Sequence, residues 1–294
     1  MDNSHVNLRP STFDLQLRLI RRALRRLAQV VRYRRSFRGM PILFANSFPK
    51  SGTHLLTQVL QGFPEIGPAV DSGLPAVVTF EGDSGRKRGW QEIQVDLERL
   101  LPGDIAYGHL HATPQVVDLL CREGFCTYFI LRDPRDVTVS HVHYVTEMEP
   151  AHAHHRYYVE ELHNFDERLR TSILGRPEAE FPFPDICQRF EPYLDWLERT
   201  EVLTLRFEDF LDERGETLGR VLEHAVQRGF PAPAERERAI RVLAEAINPQ
   251  RSPTFRSGKA GTWKELFSED NKRLFKDVAG DLLIRLGYER DLDW

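Results

Sequence analysis

The chain has 294 residues, 41% hydrophobic and 29% charged, with a formal net charge of −4. That length supports one sizeable core, and the composition excludes a disordered chain. No apolar run reaches the roughly 18–20 residues of a bilayer span, and Cys121, Cys126 and Cys187 show no zinc or redox spacing.

Charge is unevenly placed. Residues 1–40 hold ten arginines against two aspartates, and the remainder holds 30 basic against 42 acidic residues. Phe13, Leu17, Ile20, Leu24, Leu27 and Val31 recur at helical spacing, interleaved with Arg18, Arg21, Arg22, Arg25 and Arg26. This predicts a basic amphipathic helix over 13–35. Three readings stay open: a helix lying on an anionic membrane, a helix packed on its own domain with a solvated arginine face, and a cleaved transit-type segment. Asp2 fits neither a transit segment nor a secretory leader. A reducing, cytoplasmic setting is expected, with peripheral contact at the inner face of a membrane through 13–35 as an option.

The body begins with Pro41-Ile42-Leu43-Phe44-Ala45-Asn46, a buried-strand pattern, then a polar loop and a helical run through Leu55, Leu56, Val59 and Leu60. Phe125 to Leu131 and Val202 to Arg206 read as further strands. Pro114 to Cys121 and Phe190 to Arg199 read as helices, and another helix starts beyond Pro134. Strands alternating with helices predict a single α/β domain over 41–294, with a central, mostly parallel sheet flanked by helices and a phosphate-binding strand–loop–helix. Residues 1–40 form a basic extension to it.

Three loops carry chemistry. In Phe48-Pro49-Lys50-Ser51-Gly52-Thr53-His54, backbone N–H groups at a helix start suit an anion, Gly52 permits close approach and Lys50 adds a charge. The spacing is not the G-x-x-x-x-G-K-[ST] of a Walker loop, and it also suits a plain turn and helix start. In Arg132-Asp133-Pro134-Arg135-Asp136-Val137-Thr138-Val139-Ser140, Arg132 ends a strand, and Ser140 in the following helix is placed to share a phosphate with it. The alternative is an Arg132–Asp136 surface pair worth under about 1 kcal/mol. Phe255 to Lys264 combines glycines, cations and Trp263 in the manner of a lid over an anion.

In this order, these segments resemble the family of sulfotransferases that use 3′-phosphoadenosine 5′-phosphosulfate (PAPS), over about residues 41–290. Pro49 to Thr53 is similar to the family's 5′-phosphosulfate loop, Arg132 to Ser140 to its 3′-phosphate motif, and Phe255 to Lys264 to its C-terminal motif. Leu205-Arg206-Phe207-Glu208-Asp209-Phe210 is similar to its Tyr-Glu-Asp segment. The resemblance implies sulfuryl transfer to a hydroxyl or amine, without a metal or a nucleic-acid partner; the basic helix over 13–35 favours a saccharide or glycolipid acceptor, with another small molecule as the alternative. It assigns His109 as general base, with His111 as fallback, and Lys50 as the group stabilising the leaving oxygen. Lys50, Ser51, Gly52, Thr53, His54, Arg132, Ser140, Phe207, Arg256, Ser257 and Gly258 would bind the nucleotide, and Ser140 would also restrain Lys50.

The sequence departs from the family pattern in places. Leu55 stands where the family often has an adenine-stacking Trp, Tyr107 where the cytosolic type has Lys, and Ser257 where Lys is usual. The dimer signature of many cytosolic members is not evident after Trp263. His141, His143, His152, His154, His155 and His163 suggest an acceptor-side loop, with zinc binding as the alternative. Pro182 and Pro184, with nearby aromatics, are candidates for another acceptor wall. Two other classes compete with the sulfotransferase reading: a P-loop-type nucleotide-dependent kinase, and a catalytically silent binder.

Overall fold

The computed structural model describes residues 12–179, 183–252 and 258–294. Its centre is a parallel sheet of β1 (Ile42–Ser47), β2 (Val70–Asp71), β3 (Val77–Val78), β4 (Asp104–His109), β5 (Phe125–Leu131) and β6 (Val202–Arg206). The order is β2-β4-β1-β5-β6, with β3 also paired to β4. The expected α/β architecture is therefore present. Every residue of β1 and β5 is buried, which is why these strands read as unbroken apolar runs.

Side chains alternate across the sheet. Phe44 and Phe129 enter one core with Val117, Trp196 and Phe275. Leu43, Ala45 and Ile130 enter the other with Leu56, Val59, Leu218 and Leu222. Helices cover both faces, including α2 (Thr53–Leu60), α3 (Trp90–Glu98), α4 (Pro114–Cys121) and α5 (Pro134–His143). Pro134 sits in the first turn of α5, and the Asp133 carboxylate accepts the Arg135 backbone N–H as its N-cap. The expected helix over Phe190–Arg199 is instead a short helix, Ile186–Phe190, running into a 3₁₀ helix, Glu191–Glu198. Pro192 has no N–H to donate to the preceding turn.

The first helix, α1 (Thr12–Tyr33), lies along the β2/β4 edge in an unexpected orientation. A helix packed on its own domain was expected to bury its apolar face, yet here arginines face inward. Arg22 is 3% exposed and Asp104 fully buried. Arg22 Nε reaches Asp104 Oδ1 at 3.2 Å, its Nη2 reaches Oδ2, and its Nη1 donates to the Arg99 carbonyl at 2.8 Å. Arg26 adds a 3.0 Å bond to Asp104, and Arg18 donates to the Gly73 carbonyl at 2.8 Å. Removing one partner of such a buried pair costs about 3–5 kcal/mol, so the inward face of α1 is fixed by charge.

The candidate active site

β1 delivers the phosphate-type loop. In register, Asn46 lies opposite Gly108 and Ser47 opposite Ile130, so the C-terminal ends of β1, β4 and β5 come together at one edge. Beyond Ser47 the chain turns sharply: Lys50 has φ 69° and Gly52 φ 101°. At Gly52 a side chain would collide, because a Cβ there would lie 2.8 Å from Phe207 Cδ2 and 3.2 Å from Ile130 Cδ1. Ser51 is fully buried, and its Oγ has no hydrogen-bond partner among the described residues. A buried hydroxyl left in this way at a helix start is a group that a phosphate oxygen would satisfy. The Thr53 hydroxyl instead lies 2.7 Å from Ser47 Oγ. His54 is half-buried, and burial with nearby Lys50 pushes its pKa down.

His109 closes β4 beside this loop. Its Nδ1 lies 3.1 Å from the Ser47 carbonyl oxygen and 3.0 Å from Ser47 Oγ. A carbonyl only accepts, so Nδ1 carries the proton and Nε2 keeps its lone pair. Burial holds the pKa down to about 4 despite the Ser47 bond, with His54 and Lys50 lowering it further. The imidazole is therefore neutral near pH 7. Through Ser47, a chain of hydroxyls joins this imidazole to Thr53 in the loop.

Arg132 follows β5 and is 8% exposed. Its guanidinium stacks 4.6 Å from the Phe207 ring centroid, and Nη2 donates to the Lys259 carbonyl at 2.6 Å and to Asp136 at 3.2 Å. Nε has no partner among the described residues, a second orphaned donor suited to an anion. The alternative of a surface Arg132–Asp136 pair is corrected: the pair forms, but Asp136 is fully buried. Asp136 also accepts from the Gly261 N–H at 2.7 Å, the Thr262 hydroxyl at 2.8 Å and the Trp263 N–H at 3.0 Å. It thereby ties residues 261–263 to the start of α5. Ser140 lies half-buried in the second turn of α5, and Gly258 takes φ 60°. Phe255, Arg256 and Ser257 fall outside the described residues, as does Pro182.

Solved structures share this fold. Retinol dehydratase in complex with retinol and PAP aligns at TM-score 0.56 and 17% identity, covering 83% of this chain and 82% of that one. Retinol dehydratase with androsterone and inactive cofactor PAP aligns at 0.54 and 17%, over 82% and 80%. Mouse sulfotransferase SULT7A1 complexed with PAP aligns at 0.56 and 18%, over 92% of each chain. This chain has the sulfotransferase fold. No family model matches the sequence, and a search of curated proteins finds no match.

Within the sulfotransferase fold, one side of Lys50 is lined by rings. Its Nζ lies 3.9 Å from the Tyr144 centroid, a cation–π contact. Tyr144 opens a π-helical turn, Tyr144–Met148, that extends α5. His152 packs edge-on to Tyr144 and near His141 and His154, while His141 stacks on Phe183 at 4.8 Å. Burial lowers His152 to about 3 and His154 to about 4, and takes His141 well below its usual value. These three imidazoles are thus neutral near pH 7, while Arg189, 4.1 Å from the Phe183 ring, keeps its charge there. Among the described residues no set of three His, Cys, Asp or Glu is arranged to hold a metal ion.

Sequence reasoning missed Ser47, Asp136 as an anchor, and Tyr144. Only Asp136 had a signal, the second Asp of Arg-Asp-Pro-Arg-Asp. His111, the fallback base of the sequence reading, sits between Phe80 and Tyr193 at ring distances of 5.4 and 4.8 Å.

Proposed function

We propose that this protein is a PAPS-dependent sulfotransferase acting on a hydroxyl or amine of a small molecule, saccharide or glycolipid, with His109 as general base. One observation carries the reading: Ser47 bridges His109 to the anion-type loop, on the same sheet edge as Arg132. When bound, PAPS supplies the sulfuryl group and a phosphate leaving group.

The chain's own residues then have separable tasks. His109 Nε2 takes the acceptor proton, while Nδ1–H stays on the Ser47 carbonyl. Lys50, Ser51 and the backbone of Gly52, Thr53 and His54 face the 5′ end, where Lys50 balances the charge that develops on the leaving oxygen. Arg132, Ser140, Arg256, Ser257 and Gly258 hold the 3′-phosphate, and Phe207 supports Arg132 from below. The two orphaned buried donors, Ser51 Oγ and Arg132 Nε, fit an anion at each end. That PAP is bound in the three solved relatives supports the same ligand here.

The test is to incubate purified protein with labelled PAPS or labelled ATP and a panel of hydroxyl and amine acceptors. Label transfer from PAPS that is lost in Lys50→Ala and His109→Ala is the expected result. Transfer from ATP with indifference to PAPS would overturn the reading in favour of a kinase, and no transfer with nucleotide still bound would indicate a silent binder.

A further inference from the structure

Because its arginines dock inward, α1 turns its apolar stripe to solvent. Phe13 is 66% exposed, Ile20 57%, Leu24 63%, Leu27 62% and Val31 69%. These residues fall on the side of the helix opposite Arg18, Arg22 and Arg26. The helix cannot roll to bury them without pulling Arg22 from the buried Asp104. A stripe of five large apolar residues held outward by a buried ion pair is not an ordinary solvated surface.

We propose that this stripe seats the protein on an anionic lipid bilayer, with α1 lying in the interfacial plane. The choice of occupant rests on charge. Residues 12–38 carry nine arginines and one acid, Asp14. Arg21 and Arg25 are exposed and lie about 40° apart beside the stripe, at 100° per residue, while Arg32 on the same arc pairs with Glu65 at 2.8 Å. Arg34, Arg35 and Arg38 continue the exposed basic margin past the helix end. Apolar side chains would enter the acyl boundary while these guanidinium groups meet lipid phosphates. A second copy of α1 fits less well: face to face, two such helices would bring their arginine margins together with one carboxylate each. The contact is peripheral, since no helix among the described residues is long and apolar enough to cross a membrane.

The test is co-sedimentation of the full chain with vesicles of phosphatidylcholine alone and of phosphatidylcholine with about 30% phosphatidylglycerol. Binding to the anionic vesicles only, falling as salt is raised, is expected. Arg21→Gln with Arg25→Gln should weaken binding roughly fivefold per arginine. Leu24→Asp with Leu27→Asp should abolish it with an unchanged thermal melt, because neither side chain is in the core. The milder Leu24→Ser with Leu27→Ser serves if the aspartates disturb folding, and the salt titration needs no variant. Equal binding to neutral vesicles, no binding at all, or full binding by the leucine variants would overturn the proposal. So would a dimer, seen by sedimentation velocity, that the leucine variants dissolve while vesicles remain unbound.

Discussion

Asp136 accepts the backbone N–H of Trp263 at 3.0 Å across 127 residues of sequence, and the same carboxylate holds Gly261, Thr262 and Arg132. Both oxygens face only donors. One residue earlier, Arg135 lies between the rings of Trp263 and Trp294, 3.7 and 4.4 Å from their centroids, and pairs with Asp133 and Glu289. The start of α5 therefore holds both residues 261–263 and the chain end at Trp294. Asp136→Asn would turn an amide nitrogen toward at least one of these donors and remove the charge opposite Arg132. A loss of about 3 kcal/mol, or roughly 5–10 °C in melting temperature, is expected. PAP affinity should fall with it, since Arg132 and the loop it holds would no longer be fixed. Calorimetric melting and PAP titration would check both.

Gly52→Ala makes a sharper test of the loop. At φ 101°, with a Cβ 2.8 Å from the Phe207 ring, alanine meets backbone strain and a clash together. The ring that would have to move is the one under Arg132. Strain of this kind costs about 1–3 kcal/mol, and PAP binding should weaken at least tenfold. Gly39→Ala is the control, with φ 76° and nothing within 4 Å of its Cβ. It should lower the melting temperature slightly and leave PAP binding unchanged.

What could be read in the sequence follows how each residue is buried. β1 and β5 were visible because strands covered on both faces are written as apolar runs, the edge strand β6 by its Val-Leu-Thr-Leu stretch, and α4 because Pro114 opens it. β4 was hidden, since Asp104 and Gly108 interrupt its pattern and only the family resemblance picked out His109. α1 was visible as a helix but not in its orientation: periodicity identifies two faces and says nothing of which one a buried carboxylate will capture. Lys50, Ser51, Gly52 and Arg132 could be named because the loop chemistry is local. Asp136 and Ser47 act through partners 127 and 62 positions away, and local spacing carries no trace of such pairs.

Stability should depend steeply on mild acid. His109, His111, His154 and His224 are lowered to about 4 and His152 to about 3, in each case chiefly by burial. Unfolded, each titrates near ~6.5. Between the two values the unfolded chain binds more protons than the fold, so stability rises with pH there. The contribution is complete above about pH 6.5 and is lost as pH falls toward 4. Asp104, Asp133 and Glu208, raised by burial, act with the opposite sign in the lower part of this window. Net uptake on unfolding at pH 5 should still reach roughly two to four protons, measurable by calorimetry in buffers of different ionisation enthalpy. A melting temperature flat from pH 7 to 5 would mean that these imidazoles are solvated.

Ser47 and His109 should separate under mutation. His109→Ala removes the proposed proton acceptor and should lower kcat by about 10²–10⁴, with PAP binding intact. Ser47→Ala removes the hydroxyl between Nδ1 and Thr53 but leaves the Ser47 carbonyl in place. The carbonyl alone keeps the proton on Nδ1, so Nε2 keeps its lone pair as the proposed base, and the pH dependence of kcat should keep its shape. Losing a hydrogen bond worth about 1–1.5 kcal/mol from the positioning of the ring should cost about tenfold in kcat. If Ser47→Ala fell as far as His109→Ala, the hydroxyl would have to lie on the path of the proton itself, and the tautomer argued from the carbonyl would be reversed.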